Sequence, residues 1–263
     1  MPATPIHFTI AFRQKMASLA QSERRLWLAS LAARLRQEPP PAGDIFWQEL
    51  REVARGCRLS LSESIRAEHG DDVDPAHALA LLEVPRERFV RPEDIDRSSD
   101  DTPLPLDDEG HSTISAPHAY ALMYRVLALS KGDSFVELGT GTGYGAALAA
   151  FITGCEVRTF EIDPDLCARA VAALSGVHLV TVVCADAISS SRTWGSARKV
   201  CATFAVDRIP RPWLDALPEG GRLVAPVGSD RLTQRMMLFE RIGGRIVRSD
   251  HGAVRYVRNR SVR

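Results

Sequence analysis

The segment Asp133-Ser-Phe-Val-Glu-Leu-Gly-Thr-Gly-Thr-Gly-Tyr-Gly145 leaves this chain few folds to choose from. An apolar run of strand length (Phe135, Val136, Leu138) gives way abruptly to glycine at 139, 141, 143 and 145, and the alanine-rich stretch 146–152 reads as a helix. Strand, glycine turn and helix together build the ligand crevice of an open α/β sheet. The glycines let backbone approach a ligand, and the helix N-terminus aims unpaired N–H groups at it.

Spacing selects the ligand. A dinucleotide fingerprint requires G-x-G-x-x-G, but here glycines fall at 139, 141 and 143, and Tyr144 holds the late position. With Glu137 at the strand end, the pattern E-x-G-x-G-x-G resembles motif I of class I methyltransferases. That resemblance implies S-adenosylmethionine as cofactor and S-adenosyl-L-homocysteine as product, with contacts from Glu137, Gly139, Gly141 and Gly143.

The rest of the chain alternates in keeping with such a sheet. Strands are expected at 133–138, 155–161, 178–184, 199–205 and 222–227, and helices near 117–129, 144–153, 164–174 and 210–217. Gly243-Gly244 between two β-like runs predicts a C-terminal hairpin. Upstream, Leu28, Leu31, Ala32 and Leu35 form one helical stripe, and Phe46, Leu50, Val53 and Cys57 form another opened by Asp44. A third helix is expected from the Ser60-x-x-Glu63 capping box to Gly70, and a fourth from Asp74-Pro75 to Val84. The expected organisation is a helical extension over 1–74 and a main domain over 75–263. Between the helix ending at Val84 and the sheet, 86–117 is an acidic, proline-bearing connection long enough to be functional.

An acid at the end of the second strand, Glu161, is placed to meet ribose hydroxyls, with Ile162 beside it and Asp163 as fallback or helix cap. The third strand ends in Asp186-Ala187, where an acid can accept from an adenine amino group. Composition adds limits. Net charge is zero, with 45% hydrophobic and 25% charged residues, so no bulk charge favours nucleic acid or a membrane surface. No apolar run approaches the ~18 residues of a membrane span. Five cysteines without a C-x-x-C pair point to a reducing, cytoplasmic setting, and no metal-ligand spacing is evident.

The flanks carry a second resemblance. Val84-Pro-Arg-Glu-Arg-Phe-Val90, Pro103-Leu-Pro-Leu106, Thr113-Ile-Ser-Ala-Pro117, Pro218-Glu-Gly-Gly-Arg-Leu-Val-Ala-Pro-Val-Gly228 and Gly252-Ala-Val-Arg-Tyr-Val257 are similar, in order, to segments of the protein-L-isoaspartate O-methyltransferases. The likeness covers roughly 60–258. It implies a Rossmann-like class I S-adenosylmethionine-dependent fold and methyl esterification of an isoaspartyl or aspartyl carboxylate in a peptide or protein. It also implies catalytic Ser115 with Thr113 beside it, and cofactor contacts running from Ser112 through Ile114 to Ser115. Such a reaction needs no general base, because a carboxylate is already ionised at neutral pH. Ser115 would then orient the acceptor, or cap the helix near Pro117, or do both.

Three departures from the family pattern fall on the acceptor side. The 107–112 stretch is acidic, Asp207-Arg208 replaces a small neutral wall, and Arg258-Asn259 replaces the usual ending. Asp207 and Arg208 are therefore candidate substrate contacts, and His118, just beyond the Thr113–Pro117 segment, is a third, with a surface ion pair and a packed helix residue as the plain alternatives. Two rival functions remain open: an enzyme dedicated to one aspartate of a partner such as a modified biosynthetic peptide, and a cofactor-binding regulator without transfer activity. Residues 1–58 are expected either to cap the domain or to hold a partner or a second subunit.

Overall fold

The computed structural model describes residues 45–258 except Glu109, Gly195 and 230–232, together with scattered positions between Ser18 and Leu31. Side chains of 45–53 and of Arg192 lie outside the description, as do most of the first predicted stripe and Asn259. The helices are α1 (Ile45–His69), α2 (Pro75–Glu83), α3 (Pro117–Leu127), α4 (Tyr144–Thr153), α5 (Pro164–Ala173) and α6 (Arg211–Ala216). The strands are β1 (Leu104–Pro105), β2 (Thr113–Ile114), β3 (Phe135–Leu138), β4 (Val157–Glu161), β5 (Val180–Cys184), β6 (Lys199–Ala202), β7 (Arg222–Val227), β8 (Gln234–Ile242) and β9 (Arg245–Val254).

Seven strands form one sheet in the order β5-β4-β3-β6-β7-β8-β9. The first five pair in parallel, and the β8–β9 hairpin adds on antiparallel beyond β7. Chain order runs outward from β3 to β5 and then returns to β6 on the other side of β3. This reversal opens a crevice at the carboxyl ends of β3 and β6. All four β3 residues are buried, as expected of a strand covered on both faces.

Side chains divide the core by alternation along the strands. Phe135, Val157, Cys201 and Val224 pack with α3, α4 and α5 residues such as Tyr124, Ala149 and Ala170. Val136, Leu138, Val200 and Leu223 pack on the opposite face with Trp194, Trp213 and Leu217. α4 is buried almost all round. Its alanines let it lie close to the sheet, which is why the stretch after the glycines is small and apolar.

The N-terminal part differs from the sequence expectation. The helix opened near Asp44 and the one opened at Ser60 are a single helix, α1, with Ser60 in its interior and the left-handed Gly70 (φ 54°) just past its end. No proline interrupts 45–69, so packing carries the helix through the capping box. Cys57, Leu61 and Ile65, with Leu31, belong to the same core cluster as the main domain. Arg58 and Glu87 form a buried ion pair, and Arg58 Nε also donates to the Leu82 carbonyl at 2.8 Å. Asp74 caps α2 through the Ala76 amide, 2.7 Å away.

The 86–117 connection is ordered around Arg86, a fully buried side chain. Its guanidinium donates to the carbonyls of Ser98, Asp100, Thr102 and Ser115 at 2.8–3.1 Å. Arg86 thereby supplies backbone partners that the irregular chain lacks. The acids of this stretch are largely paired nearby, Asp94 and Asp108 with Arg91 at 2.9 and 3.0 Å. None of the helices among the described residues is long and apolar enough to cross a membrane.

Candidate active site

The glycine turn follows β3 directly. Gly139 (φ 96°) and Gly143 (φ 91°) adopt backbone that other residues avoid. A Cβ at 139 would sit 2.5 Å from Thr203 Oγ1 and 2.8 Å from the Phe204 ring. A Cβ at 143 would press on Leu174 at 2.6 Å, whereas at Gly141 only Leu106 lies near, at 3.4 Å. Gly139 therefore lets the turn pass the end of β6, Gly143 lets α4 pack, and Gly141 faces the open pocket.

That pocket is bounded by the turn 139–142, by Phe160, Glu161 and Ile162 after β4, and by Asp186 and Ala187 after β5. Its far wall comprises Ser112 to Ser115, Tyr120, Thr203, Phe204, Val257 and Arg258, with Leu106 and His111 at the rim. β1 and β2 pair as a two-stranded ladder, Leu104 opposite Ile114, which sets Thr113 and Ser115 at the pocket. Arg169 on α5 fastens the ladder from outside by donating to the Leu106 carbonyl at 2.8 Å. The Gln234 amide makes a two-way bond with the Tyr256 main chain, at 2.7 and 3.1 Å, and Ala205 N donates to the Val257 carbonyl at 2.8 Å. These bonds bring the chain end to the pocket.

Of the residues expected to bind cofactor, Ser112, Ile114, Gly139, Gly141, Glu161, Ile162, Asp186 and Ala187 line this one pocket, and so do Thr113 and Ser115. Glu161 accepts from the amides of Gly141 (2.8 Å), Ile162 (3.0 Å) and Asp163 (3.1 Å). Burial nevertheless leaves its pKa above the ordinary carboxylate value, with those amides pulling the other way. Asp163 caps α5, accepting from Asp165 N at 2.9 Å and Leu166 N at 3.2 Å. Asp186 folds its own turn by accepting from Ile188 N at 2.9 Å.

The remaining predicted residues stand elsewhere, and Gly143 is among them: it packs against Leu174 and does not line the pocket. Glu137 is not at the pocket: it is buried beneath the turn, where a Cβ on Gly145 would come within 2.1 Å of its Oε1. Thr159 Oγ1 donates to Glu137 at 2.7 Å and lies 2.7 Å from Thr140 Oγ1, so a hydroxyl chain links the buried carboxyl to the pocket-lining turn. Burial pushes the Glu137 pKa up to about 8, with the Thr159 bond opposing and Glu161 adding to the rise. Strand alternation explains this placement. Glu137 faces the α3–α4 side with Phe135, away from the crevice opening.

His118 also stands outside the lining, with Nδ1 3.0 Å from both carboxylate oxygens of Asp101. That bond raises the His118 pKa above its ordinary value. Asp101 Oδ1 accepts from His118 N as well, at 3.0 Å. The first-turn amide of α3 is thus capped from the loop, and Ala116, not Ser115, is the N-cap residue. Arg208 is exposed and does not line the pocket. Asp207 pairs with Arg258 at 2.6 Å, and it is Arg258 that reaches the pocket wall.

Sequence reasoning passed over Arg86, Tyr120, Thr203 and Phe204. Arg86 had a signal, the Val84-Pro85-Arg86 segment, but nothing local says that an arginine will be buried against four carbonyls. Phe204 and Thr203 reach the turn through the β3–β6 pairing, which is a long-range fact.

Comparison with known proteins accords with this geometry. A Methanocella arvoryzae protein-L-isoaspartate O-methyltransferase is 39% identical over 180 residues, covering 66% of this chain and 93% of the relative. A solved protein-L-isoaspartate O-methyltransferase superposes with a TM-score of 0.70 at 27% identity, over 77% of this chain and 65% of that one. A Plasmodium falciparum structure in complex with S-adenosyl-L-homocysteine, 21% identical, shares the fold with a TM-score of 0.67, over 76% and 97%. The sequence model of one family matches residues 63–262, a span that takes in the whole sheet, the pocket and its rim, and the chain therefore belongs to the protein-L-isoaspartate(D-aspartate) O-methyltransferase family.

Proposed function

We infer that this chain is an S-adenosylmethionine-dependent carboxyl O-methyltransferase that esterifies an isoaspartyl carboxylate of a peptide or protein. One observation carries the reading. In a member of this family, the glycine turn with Glu161 and Asp186 shares a single pocket with Thr113 and Ser115. The donor set suits the cofactor. Gly141 leaves room over the turn, Glu161 offers carboxylate oxygens at the β4 end for ribose hydroxyls, and Asp186 with Ala187 lies where an adenine edge would meet the end of β5.

Bound there, the cofactor supplies a methyl group on a positively charged sulfur. The chain's own work is positional. The Ser115 hydroxyl holds one oxygen of the acceptor carboxylate, leaving the other free to attack. Arg86 fixes Ser115 by its carbonyl at 3.1 Å, and Tyr120 meets the Ser115 main chain from α3. No residue needs to take a proton, because the acceptor arrives ionised. Phe204 and Ile162 give the pocket apolar surface against which the cofactor would pack. Arg258, oriented by Asp207, is suited to a second carboxylate or a main-chain carbonyl of the acceptor.

The test is a methyl-transfer assay on an isoaspartyl peptide beside its ordinary aspartyl twin. A base-labile methyl ester on the isoaspartyl peptide alone is the expected result. Transfer to the twin alone would overturn the isoaspartyl assignment, and tight cofactor binding with no ester on either peptide would overturn the carboxyl acceptor.

A further inference from the structure

Three side chains from separate segments meet outside the pocket. His69 ends α1, Asp101 lies in the connection before β1, and His118 sits in the first turn of α3. One potential ligand atom from each lies within 4.8 Å of the other two. The two imidazoles are stacked, with centroids 5.4 Å apart and planes 22° apart. Asp101 meets His118 at 3.0 Å. His69 and His118 are half-buried and the Asp101 side chain keeps about a quarter of its surface open, so solvent reaches the space among them.

We propose that His69, Asp101 and His118 bind one divalent first-row transition ion of the zinc class. Two imidazole nitrogens and one carboxylate oxygen suit zinc, cobalt or nickel, whereas magnesium and calcium require mainly oxygen. Three protein ligands leave positions for water, which the exposed side of the cluster can supply. Glu68 adds negative charge next to His118, while the buried Arg86 guanidinium places positive charge near Asp101 and slightly opposes a cation. Binding exchanges a proton for the metal. From the imidazolium form of His118 the Nδ1–H bond directed at Asp101 breaks, a nitrogen–metal bond forms, Nε2 keeps its hydrogen, and the released proton leaves to solvent.

The position gives the ion a consequence. Asp101 and His118 flank the segment that carries Ser112 to Ser115, and His69 belongs to α1, whose first part precedes the family match at residue 63. An ion here fastens the segment that carries Ser112 to Ser115 to α1.

The experiment uses the full-length, tag-free chain, stripped with chelator and titrated with zinc chloride in a calorimeter, and with cobalt chloride under visible absorption. One ion per chain, a raised melting temperature on addition of zinc, and a cobalt band from imidazole ligation are expected. His69→Ala and Asp101→Asn should each weaken binding at least about tenfold, while His251→Ala, on the far hairpin, should leave it unchanged. His118→Ala removes a residue of the first turn of α3 and is the variant most exposed to folding loss. His69→Ala removes only a half-buried ring at the end of α1, so it keeps the test decisive. No heat and no cobalt band at millimolar metal overturns the proposal. So does binding that survives both substitutions, or that is lost in Cys184→Ser instead, which would place the ion on an exposed thiol.

Discussion

Glu137→Gln isolates the buried carboxyl beneath the glycine turn. Its pKa is raised from 4.5 to about 8 by burial, and unfolding returns it to the ordinary value. Between those two values the folded chain holds a proton that the unfolded chain has released, so this group makes stability fall as pH rises. Below both values and above both it contributes no slope. Each pH step inside the window costs about 1.4 kcal/mol, and the whole window on the order of 5 kcal/mol. The Thr159 hydroxyl donates to Glu137 along the 2.7 Å contact, and the carbonyl oxygen of the protonated carboxyl accepts that bond. A glutamine side-chain oxygen can accept in the same way, which makes it a stand-in for the neutral acid. Urea denaturation of parent and variant from about pH 5 to about pH 8.5 reads the difference directly and cancels other titrating groups, Glu161 included. The two should match near the acid end, and the variant should gain steadily, by about 3 kcal/mol at neutrality. A flat difference across that range would refute the argument. A parent that gains on the variant with rising pH would show an ionised, stabilised Glu137.

Four further outcomes are expected. Glu161→Ala should weaken S-adenosylmethionine binding by about 1–3 kcal/mol through lost charged hydrogen bonds, whereas Asp163→Ala, removing only a helix cap, should leave calorimetric affinity near the parent's. Ser115→Ala should lower kcat on the order of a hundredfold with cofactor affinity kept, and since Asp101 already serves the α3 amide, its melting temperature should barely move. Arg258→Ala should raise KM for the acceptor while Arg208→Ala, on the exposed neighbour, should not; equal effects would remove Arg258 from the acceptor wall. A chain beginning at Ser60 should unfold or melt far below the parent, because it cuts α1 and strips Glu87 of Arg58, a loss of about 3–5 kcal/mol for a buried pair. A stable truncated chain would return the N-terminal segment to the role of a separable recognition element.

Local pattern determined much of this protein. The run from Phe135 to Gly145 announces a strand, a turn passable only by glycine and a close-packed helix, because each feature depends on residues adjacent in sequence. The same holds for the Asp74 and Asp163 caps, for the parallel strands with their apolar runs, and for the Gly243-Gly244 hairpin. Acids at strand ends were legible because a doubly wound sheet always presents that end to its crevice. Tertiary structure decided whatever depended on direction or on distant partners. Glu137 belongs to the glycine signature, yet strand alternation turns it inward and makes it a brace under the turn. Arg208 is beside Asp207 in sequence, but Asp207 pairs with Arg258, brought 51 residues by the bridge of Ala205, just past β6, to Arg258. Ser60 has a capping box that α1 runs through, since burial of Cys57, Leu61 and Ile65 on one core outweighs a local stop. Arg86 and the meeting of His69, Asp101 and His118 follow from folding an irregular connection back on itself, where no periodicity exists to be read. Short-range signals fix which element forms; which side chain faces the pocket depends on what the rest of the chain places against it.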